Sequence, residues 1–277
     1  MGLAVLFFAR FYQLFAQYRY AALHREEDAA FARAAELFAD RGVKTILACF
    51  VFFVFIPLAI YVASYIPYLA VYGGFDFSLK TFERIWDAQV LMFDYHANLV
   101  AEHYFASPWY EWPLIVKPMW YYQADFKGAG MASSILAFGN PAVWWTGLAG
   151  IVFVLLYSLF RNALPALGVI PGREDEQDRA MPVICVGFLS AYLPWVLVSR
   201  LTFIYHYFAS VPWIIIATAL LLKYLARRNK KAAYALAAVL AAAAVALFAA
   251  FYPLASGVEV PRAWCDAVAW FDGWMWY

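Results

Sequence analysis

The sequence is short of charge. Only 14% of its 277 residues are Asp, Glu, Lys or Arg, whereas 66% are hydrophobic, and the mean hydropathy is +0.66. Because a soluble domain carries about a quarter charged residues, this composition excludes an ordinary soluble domain and indicates an integral membrane protein. The formal net charge of +1 provides no positive excess for phosphates, so we expect no nucleic-acid partner.

Cysteine is also scarce. Cys49, Cys185 and Cys265 are odd in number and far apart, which argues against a disulfide framework and against metal-type Cys spacing. We also expect no metal and no other cofactor. The apolar stretch from Leu3 to Phe15 has no positive region before it and no small-residue cleavage site after it, so we predict no signal peptide.

Long apolar runs dominate the chain. A helix that spans a bilayer needs about 20 mostly apolar residues, and six segments come near that length. They are residues 3–18, 45–66, 142–160, 181–199, 203–223 and 232–252. The first is short and carries Arg10, and Pro57 predicts a kink in the second. The predicted fold class is an all-α, polytopic membrane helix bundle of about six spans.

The basic residues set the expected orientation, because cytoplasmic connections are rich in Lys and Arg. Thirteen of the twenty lie in one set of connections, which we assign to the cytoplasm. The N-terminus, residues 67–141, the turn at Arg200 and the C-terminal tail then lie outside. An N-terminus that starts outside leads us to expect one half of something larger. We predict a first region, 1–44, with one span and a cytoplasmic helix ending at Gly42, and a transmembrane module, 45–277.

Residues from Ser78 to about Phe105 have helical periodicity. Trp86, Gln89, Phe93, His96, Leu99 and His103 recur at three- and four-residue steps, which predicts one stripe of an amphipathic helix on the outer surface. His96 and His103 would share a face. Two histidines without a third ligand are weak evidence for a metal site. Hydrogen bonds to a ligand or to the following loop, and plain structural roles, remain the alternatives.

The next segment, residues 107–122, is too rich in Pro and aromatic residues for a spanning helix and belongs at the membrane–water boundary. Its rings suggest a platform for a sugar, with an interfacial belt as the alternative. These residues are Trp109, Trp112, Trp120, Tyr121 and Tyr122. Lys117 and Arg200 either snorkel to the interface or hold an anion there, for which a lipid-linked phosphate is suitable.

Four segments of the sequence carry a family resemblance. Residues 103–122 read His-Tyr-Phe-Ala-Ser-Pro-Trp-Tyr-Glu-Trp-Pro-Leu-Ile-Val-Lys-Pro-Met-Trp-Tyr-Tyr. This stretch resembles the outer loop of bacterial protein O-mannosyltransferases, approximately His-Pro-Tyr-Ser-Ser-Pro-Trp-Trp-x-Trp-Pro-Leu-x-x-Arg-Pro-x-Trp-Tyr-Tyr. The segment Gly139-Asn140-Pro141 and the segment from Arg200 to Phe208 are also similar to that family, as is the tail from Pro253 to Trp274. The resemblance is collinear over about residues 45–277.

The resemblance implies the C-terminal part of a GT-C type glycosyltransferase in the cell membrane. Such an enzyme moves mannose, or a similar sugar, from a polyprenyl-phosphate donor to Ser or Thr hydroxyls of an acceptor protein. It implies that Arg200 and Lys117 contact the donor phosphate. It also implies a sugar or acceptor site built from His96, His103, Ser107, Trp109, Trp112, Trp120, Tyr121, Tyr122, His206 and Tyr207.

The chain departs from the family pattern in two ways. The family's catalytic acid pair lies in an N-terminal half that this sequence does not contain, so we assign no catalytic residue. We expect either a fragment of such an enzyme or one product of a split gene, and in the second case another chain supplies the N-terminal half. Tyr104, Ala106 and Lys117 replace the family's Pro, Ser and Arg. The alternative function is a non-catalytic accessory or scaffold subunit that binds a lipid-linked glycan or partner helices. A transporter is less favoured, because we find no inverted repeat. Membrane lipid is an expected partner in every case.

Overall fold

The computed structural model describes residues 2–71, 73–74, 76–99, 101–124, 128–163 and 180–277. Three of the twenty basic residues counted for the orientation, Lys127, Arg173 and Arg179, lie outside these ranges. The chain divides into two compact units, residues 3–99 and residues 100–277. The predicted division at residues 44 and 45 stays a prediction.

The first unit is helical. Its helices are α1 (Gly2–Leu23), α2 (Ala29–Glu36), α3 (Phe38–Phe50), α4 (Ile56–Ser64), α5 (Ile66–Val71) and α6 (Leu79–Asn98). Asp28 begins α2, since its carboxylate accepts a 2.8 Å hydrogen bond from the Ala30 amide. The predicted helix end at Gly42 is wrong, because Gly42 lies inside α3. A glycine costs a helix interior only about 1 kcal/mol, and the long apolar run that follows carries the helix through it.

The second predicted span, residues 45–66, is irregular near Pro57, where the proline predicts a kink. Residues Val51–Phe55 form a π-helical turn, and α4 starts immediately afterwards with Pro57 in its first turn. Proline has no amide hydrogen and its ring displaces the carbonyl four residues earlier. A π-helical turn is one way to accommodate such an interruption.

Helix α6 begins as predicted and ends earlier. The Ser78 hydroxyl accepts a 3.3 Å hydrogen bond from the Thr81 amide, which caps the N-terminus. The helix stops at Asn98, and Leu99 is extended, with φ −67° and ψ 105°. The Asn98 side chain donates to the Asp94 carbonyl at 2.9 Å, a local bond of the kind that competes with further helix. The prediction that His96 and His103 share a helix face is therefore wrong.

The second unit contains α7 (Pro141–Ser158), α8 (Ala180–Tyr192), α9 (Val211–Arg228), α10 (Lys230–Ser256) and α11 (Arg262–Val268). Helix α7 packs most extensively against α9 and also contacts α8 and α10. The close approach of α7 to α9 requires glycine, because a Cβ atom on Gly150 would lie 2.6 Å from the Thr218 backbone nitrogen.

Short strands and 3₁₀ turns build the loops of this unit. Strand β1 (Met119–Gln123) pairs antiparallel with β3 (Ser134–Ala137), and β2 (Met131–Ala132) pairs antiparallel with β4 (Val260–Pro261). Further 3₁₀ turns cover Trp109–Leu114, Leu193–Leu197 and Ile204–Ser210. The predicted all-α class is confirmed, with these two small ribbons as its additions.

Five helical stretches among the described residues are long and apolar enough to cross a membrane. They are Phe38–Val71, Pro141–Arg161, Ala180–Leu197, Ile204–Arg228 and Lys230–Ser256. Each overlaps one of the predicted spans from the second to the sixth. The first predicted span, residues 3–18, is helical within α1 but is not among the five. The chain is a multi-pass membrane protein.

Candidate functional site

The aromatic loop, defined here as residues 103–122, is tied to the Arg200 segment, residues 198–203. The Ser107 amide donates to the Thr202 carbonyl at 2.9 Å, and the Thr202 hydroxyl donates to the Ser107 carbonyl at 2.8 Å. Both residues are buried, so water does not compete for these bonds. Two stretches about 95 residues apart in sequence therefore form one wall.

Trp112 stabilises this junction through hydrogen bonds and ring contacts. Its indole N–H lies 3.0 Å from the Ser107 carbonyl oxygen and 3.1 Å from the Ser107 hydroxyl oxygen. Its ring stacks on His206, with centroids 5.8 Å apart, and packs edge-on against Trp195. Trp112 is 0% exposed, so its ring offers no face to a sugar in this structure. The platform role predicted for Trp112 is therefore corrected to a supporting role.

His206 is half-buried and already hydrogen-bonded. Its Nδ1 accepts from the Phe203 amide at 3.0 Å, and its ring lies 4.2 Å from that of Trp195. Since Nδ1 is occupied by the backbone, Nε2 is the nitrogen that remains for other partners.

A cavity of about 410 Å³ opens where the two segments meet. Ser107, Pro108 and Trp109 line it from the aromatic loop, and Ser199, Arg200 and Thr202 line it from the Arg200 segment. Arg200 is half-buried. No carboxylate of the described part of the chain lies within 4 Å of its guanidinium. The cavity thus presents an uncompensated positive charge together with hydroxyl groups and an indole.

Trp109 and Tyr207 are held by the bundle. The Tyr192 hydroxyl donates to the Trp109 carbonyl at 2.8 Å. Tyr207 is 0% exposed and packs edge-on against Trp144 and Tyr192. Its hydroxyl has no hydrogen-bond partner among the described residues. Sequence reasoning singled out neither Thr202 nor Tyr192. Thr202 stands two positions after Arg200, which is a usable signal, whereas nothing in the sequence marks Tyr192.

Lys117 lies apart from this cavity. Its ammonium donates to the Tyr104 carbonyl at 2.6 Å and sits 4.8 Å from the centroid of the Tyr104 ring. These contacts join Lys117 to the start of the aromatic loop. Lys117 is not among the residues that line the Arg200 cavity, so the structure does not bring the two predicted phosphate contacts into one wall.

The remaining predicted residues are distributed along the loop. The Trp120 indole donates to the Tyr122 carbonyl at 2.9 Å, and Tyr121 stacks on Tyr205 with centroids 6.1 Å apart. Tyr121 and Tyr122 are 55% and 52% exposed, so these rings are accessible to a ligand. Partial burial, and then the neighbouring Tyr205, raise the pKa of the Tyr121 hydroxyl, which keeps it protonated and able to donate at neutral pH.

The two histidines of the predicted stripe differ. The Nδ1 atom of His103 accepts from the Phe105 amide at 3.2 Å, and its ring packs edge-on against Phe203. His103 therefore stabilises the start of the aromatic loop. His96 is exposed near the end of α6, in the first unit. The described residues contain no group of three or more His, Cys, Asp or Glu side chains placed to hold a metal ion.

The C-terminal tail, residues 269–277, anchors the aromatic loop, a role that sequence reasoning missed. The Trp274 indole donates to the Ile115 carbonyl at 2.6 Å, and the Ser134 hydroxyl donates to the Trp276 carbonyl at 2.7 Å. Ile115 has a φ of 57°, a left-handed conformation that is unfavourable for a β-branched residue. Such a backbone persists only where its surroundings hold it, and the buried Trp274 is one of those contacts.

The comparisons with known proteins agree with this architecture. A family model described as the C-terminal four TMM region of protein-O-mannosyltransferase matches residues 81–274. Four of the five stretches that can cross a membrane lie within that range.

Named relatives cover the same part of the chain. The polyprenol-phosphate-mannose–protein mannosyltransferase of Mycobacterium tuberculosis is 22% identical over 249 residues, which is 79% of this chain and 45% of the relative. Its counterpart in Corynebacterium glutamicum is 26% identical over 200 residues, 67% of this chain and 36% of the relative. The chain therefore spans less than half the length of these relatives.

A solved structure has a similar fold. It is the Saccharomyces cerevisiae protein O-mannosyltransferase Pmt1-Pmt2 complex bound to the sugar donor, with a TM-score of 0.56 and 22% identity. The similarity covers 73% of this chain and 28% of that chain. Together with the family match over most of the sequence, these results establish that the chain belongs to the protein O-mannosyltransferase family, of which it carries the C-terminal four-span region.

Proposed function

We propose that this chain is the donor-binding C-terminal portion of a cell-membrane glycosyltransferase. The enzyme moves mannose, or a similar sugar, from a polyprenyl-phosphate carrier to Ser or Thr hydroxyls of an acceptor protein. One observation carries the proposal: Arg200, unpaired within the described chain, lines one cavity together with Ser107 and Trp109.

The chemistry of Arg200 fits a phosphate. A guanidinium always carries charge and presents a planar fork of N–H donors that pairs with two phosphate oxygens at once. An unpaired cation at a half-buried position favours an anionic partner, because the ligand then provides the missing counter-charge. The polyprenyl phosphate of the donor is the leaving group of the transfer, and Arg200 would stabilise the negative charge that this departing phosphate gains.

The transfer breaks the bond between the anomeric carbon and the phosphate oxygen and forms a bond to the acceptor hydroxyl oxygen. The hydroxyl proton goes to a carboxylate base, which we place in the family's N-terminal half. Ser107 and Trp109 would position the sugar. The exposed Tyr121 and Tyr122 would contact the sugar or the acceptor on the same loop.

The other predicted contacts keep narrower roles in this proposal. Trp112, His206 and Tyr207 hold the cavity wall in place, and Trp120 donates to the Tyr122 carbonyl within the aromatic loop. His103 steadies the start of the aromatic loop, and His96 stays a prediction for acceptor contact. Lys117 would be a second phosphate contact only after releasing the Tyr104 carbonyl.

Donor binding by the full chain in lipid nanodiscs tests the central role. Polyprenyl-phosphate mannose should bind Arg200→Gln about 10- to 100-fold more weakly than the unaltered chain, the range for hydrogen bonds to charged groups. Arg200→Lys should recover part of the affinity, since it restores charge without the fork. Lys80→Gln, an exposed cation on α6, is the matched control and should bind normally. Equal affinity of Arg200→Gln and the unaltered chain would refute the proposal.

A second measurement separates an enzyme portion from an accessory subunit. The chain is expressed with an N-terminal partner that carries the family's acid pair, and mannose transfer to a Ser/Thr-containing protein is measured. Transfer that needs both chains and falls with Arg200→Gln supports the enzyme portion. Donor binding without any gain in transfer would assign the accessory role.

A further inference from the structure

A second cavity lies between the aromatic loop, the first turns of α7 and the C-terminal tail. We call it the tail groove. Its volume is about 560 Å³, and Leu114, Val116, Trp145, Leu148, Phe271 and Asp272 line it, with Gly273. It shares no lining residue with the Arg200 cavity, so the donor proposal leaves it without a role.

The groove walls are apolar, exposed and joined to one another by close contacts. Leu114 is 52% exposed, Phe271 50% and Val116 40%. The Trp145 indole donates to the Leu114 carbonyl at 3.3 Å. The tail backbone lies so close to the loop that a Cβ atom on Gly273 would be 2.4 Å from the Val116 carbonyl oxygen. A preformed, mostly apolar cleft of this size is typical of a small-molecule site.

The position of the groove indicates a lipid. Trp145 and Leu148 belong to the first turns of α7, which begins at Pro141 and can span a membrane. The Trp145 ring lies 6.3 Å from the Trp270 ring, and tryptophan is enriched where lipid headgroups meet hydrocarbon. The groove therefore lies at the level where a phospholipid has its acyl chains on one side and its headgroup on the other.

The charge in the groove limits the kind of lipid. Asp272 is the one ionisable side chain among the described lining residues, and no Lys, Arg or His nitrogen of the described chain lies within 4 Å of its carboxylate. A carboxylate repels phosphatidylglycerol and also the polyprenyl-phosphate donor. A primary ammonium has three N–H donors for it, whereas the quaternary ammonium of phosphatidylcholine has none.

We propose that the tail groove binds a phosphatidylethanolamine-type phospholipid. One acyl chain packs against the apolar wall formed by Leu114, Leu148 and Phe271, and the ammonium headgroup donates hydrogen bonds to the Asp272 carboxylate. The lipid comes from the leaflet that borders the aromatic loop. Its binding covers apolar side chains of that loop and of the tail, and it pairs the carboxylate.

Competition between lipids tests the proposal. The full chain is reconstituted in nanodiscs of equal parts phosphatidylethanolamine, phosphatidylcholine and phosphatidylglycerol, released into the gas phase, and its retained lipids are identified by native mass spectrometry. We expect phosphatidylethanolamine to be enriched about two- to fivefold over phosphatidylcholine, the range for an exposed ion pair. Asp272→Asn should reduce that ratio to about one. Glu83→Gln, which neutralises an exposed carboxylate on α6, should leave the ratio unchanged.

A second variant isolates the apolar wall. Leu148→Trp fills the groove while leaving Asp272 in place, and it should abolish the selective retention of phosphatidylethanolamine. Equal retention of phosphatidylethanolamine and phosphatidylcholine by the unaltered chain would overturn the proposal. So would an enrichment that survives Asp272→Asn. In nanodiscs that also contain polyprenyl phosphate, retention of that lipid by the unaltered chain and its loss in Leu148→Trp would overturn the proposal and assign the groove to the donor.

Discussion

The two units of the chain differ in how far their most tightly packed spans bury apolar residues. In the first unit, the stretch Phe38–Val71 is the most apolar of the five candidate spans. Nevertheless, no residue of its most apolar 18-residue segment is buried inside the structure. In the second unit, Pro141–Arg161 and Ala180–Leu197 are less apolar, yet 28% of the most apolar 18-residue segment of each is buried. Hydropathy thus reports preference for lipid, whereas packing between helices depends on shape.

Two glycines, one in each unit, show the same difference in packing. In α7 of the second unit, a Cβ atom on Gly150 would meet backbone atoms of Ala217 and Thr218 within 2.9 Å. In α3 of the first unit, a Cβ atom on Gly42 would meet nothing within 4 Å. The bilayer removes the hydrophobic driving force between helices, so close contact between backbones is what holds α7 against α9.

The largest expected difference between the units comes from alanine at these two glycines. Gly150→Ala should destabilise the protein by about 1–3 kcal/mol, the cost of overpacking a tight contact, because the obstructing atoms are backbone. Gly42→Ala should stabilise it by up to about 1 kcal/mol, because alanine favours a helix over glycine. Thermal unfolding in detergent measures both variants. Shifts of the same sign would refute the contrast in packing.

A smaller difference in stability is expected between substitutions of two tryptophans, one in each unit. Trp112→Phe keeps most of the apolar ring but removes the donor to Ser107, so it should cost about 1 kcal/mol. Trp86→Phe, on α6 where Trp86 is 68% exposed, should change stability by less than about 0.5 kcal/mol. Trp112→Phe should also weaken donor binding at the Arg200 cavity, since Ser107 lines that cavity. A loss of stability equal in the two variants would contradict the buried role of Trp112.

The smallest effect concerns the start of α6 and depends on pH. Hydrogen bonds from the Ser78 hydroxyl first, then from the Thr81 hydroxyl, hold the pKa of the Asp76 carboxyl below its usual range. A carboxyl whose folded pKa is depressed stabilises the fold above its unfolded pKa of about 3.9. That contribution is lost as the pH falls through the lower folded pKa.

Circular dichroism between pH 5 and pH 2 measures this loss. Helicity of the unaltered chain should fall over the acidic part of that range. Asp76→Asn should lack that component of the pH dependence, whereas Asp94→Asn, the control at the far end of α6, should retain it. Identical profiles for Asp76→Asn and the unaltered chain would show that the Asp76 carboxyl does not stabilise the helix start.

Some features were predictable because they depend on local order in the sequence. Five spans follow from the length and polarity of their segments, and the irregularity near Pro57 follows from a missing amide. The start of α6 at Ser78 follows from a serine that precedes a periodic segment. The end of α6 was not predictable from periodicity, because the apolar spacing continues to His103 although the backbone becomes extended at Leu99.

The candidate site shows where prediction from sequence stops. Arg200, Ser107 and Trp109 were selected as residue types suited to a phosphate and a sugar, and the structure places all three on one cavity. Trp112 was selected on the same grounds as Trp109, yet it is buried. Lys117 was selected on the same grounds as Arg200, yet its ammonium is bound to the Tyr104 carbonyl. Residue type alone therefore does not predict that Trp109 and Arg200 line the cavity whereas Trp112 and Lys117 do not.

The sequence by itself determined that the chain is a multi-pass membrane protein, where most of its spans lie, and which family's outer loop it resembles. These properties depend on runs of neighbouring side chains, and hydrophobic transfer energies add along such runs. Only the tertiary structure decided that Ser107 bonds to Thr202, that Trp274 holds Ile115, and that an apolar groove with one carboxylate forms beside α7. Those contacts join residues that are far apart in sequence, and their geometry depends on how the helices and loops of the second unit pack.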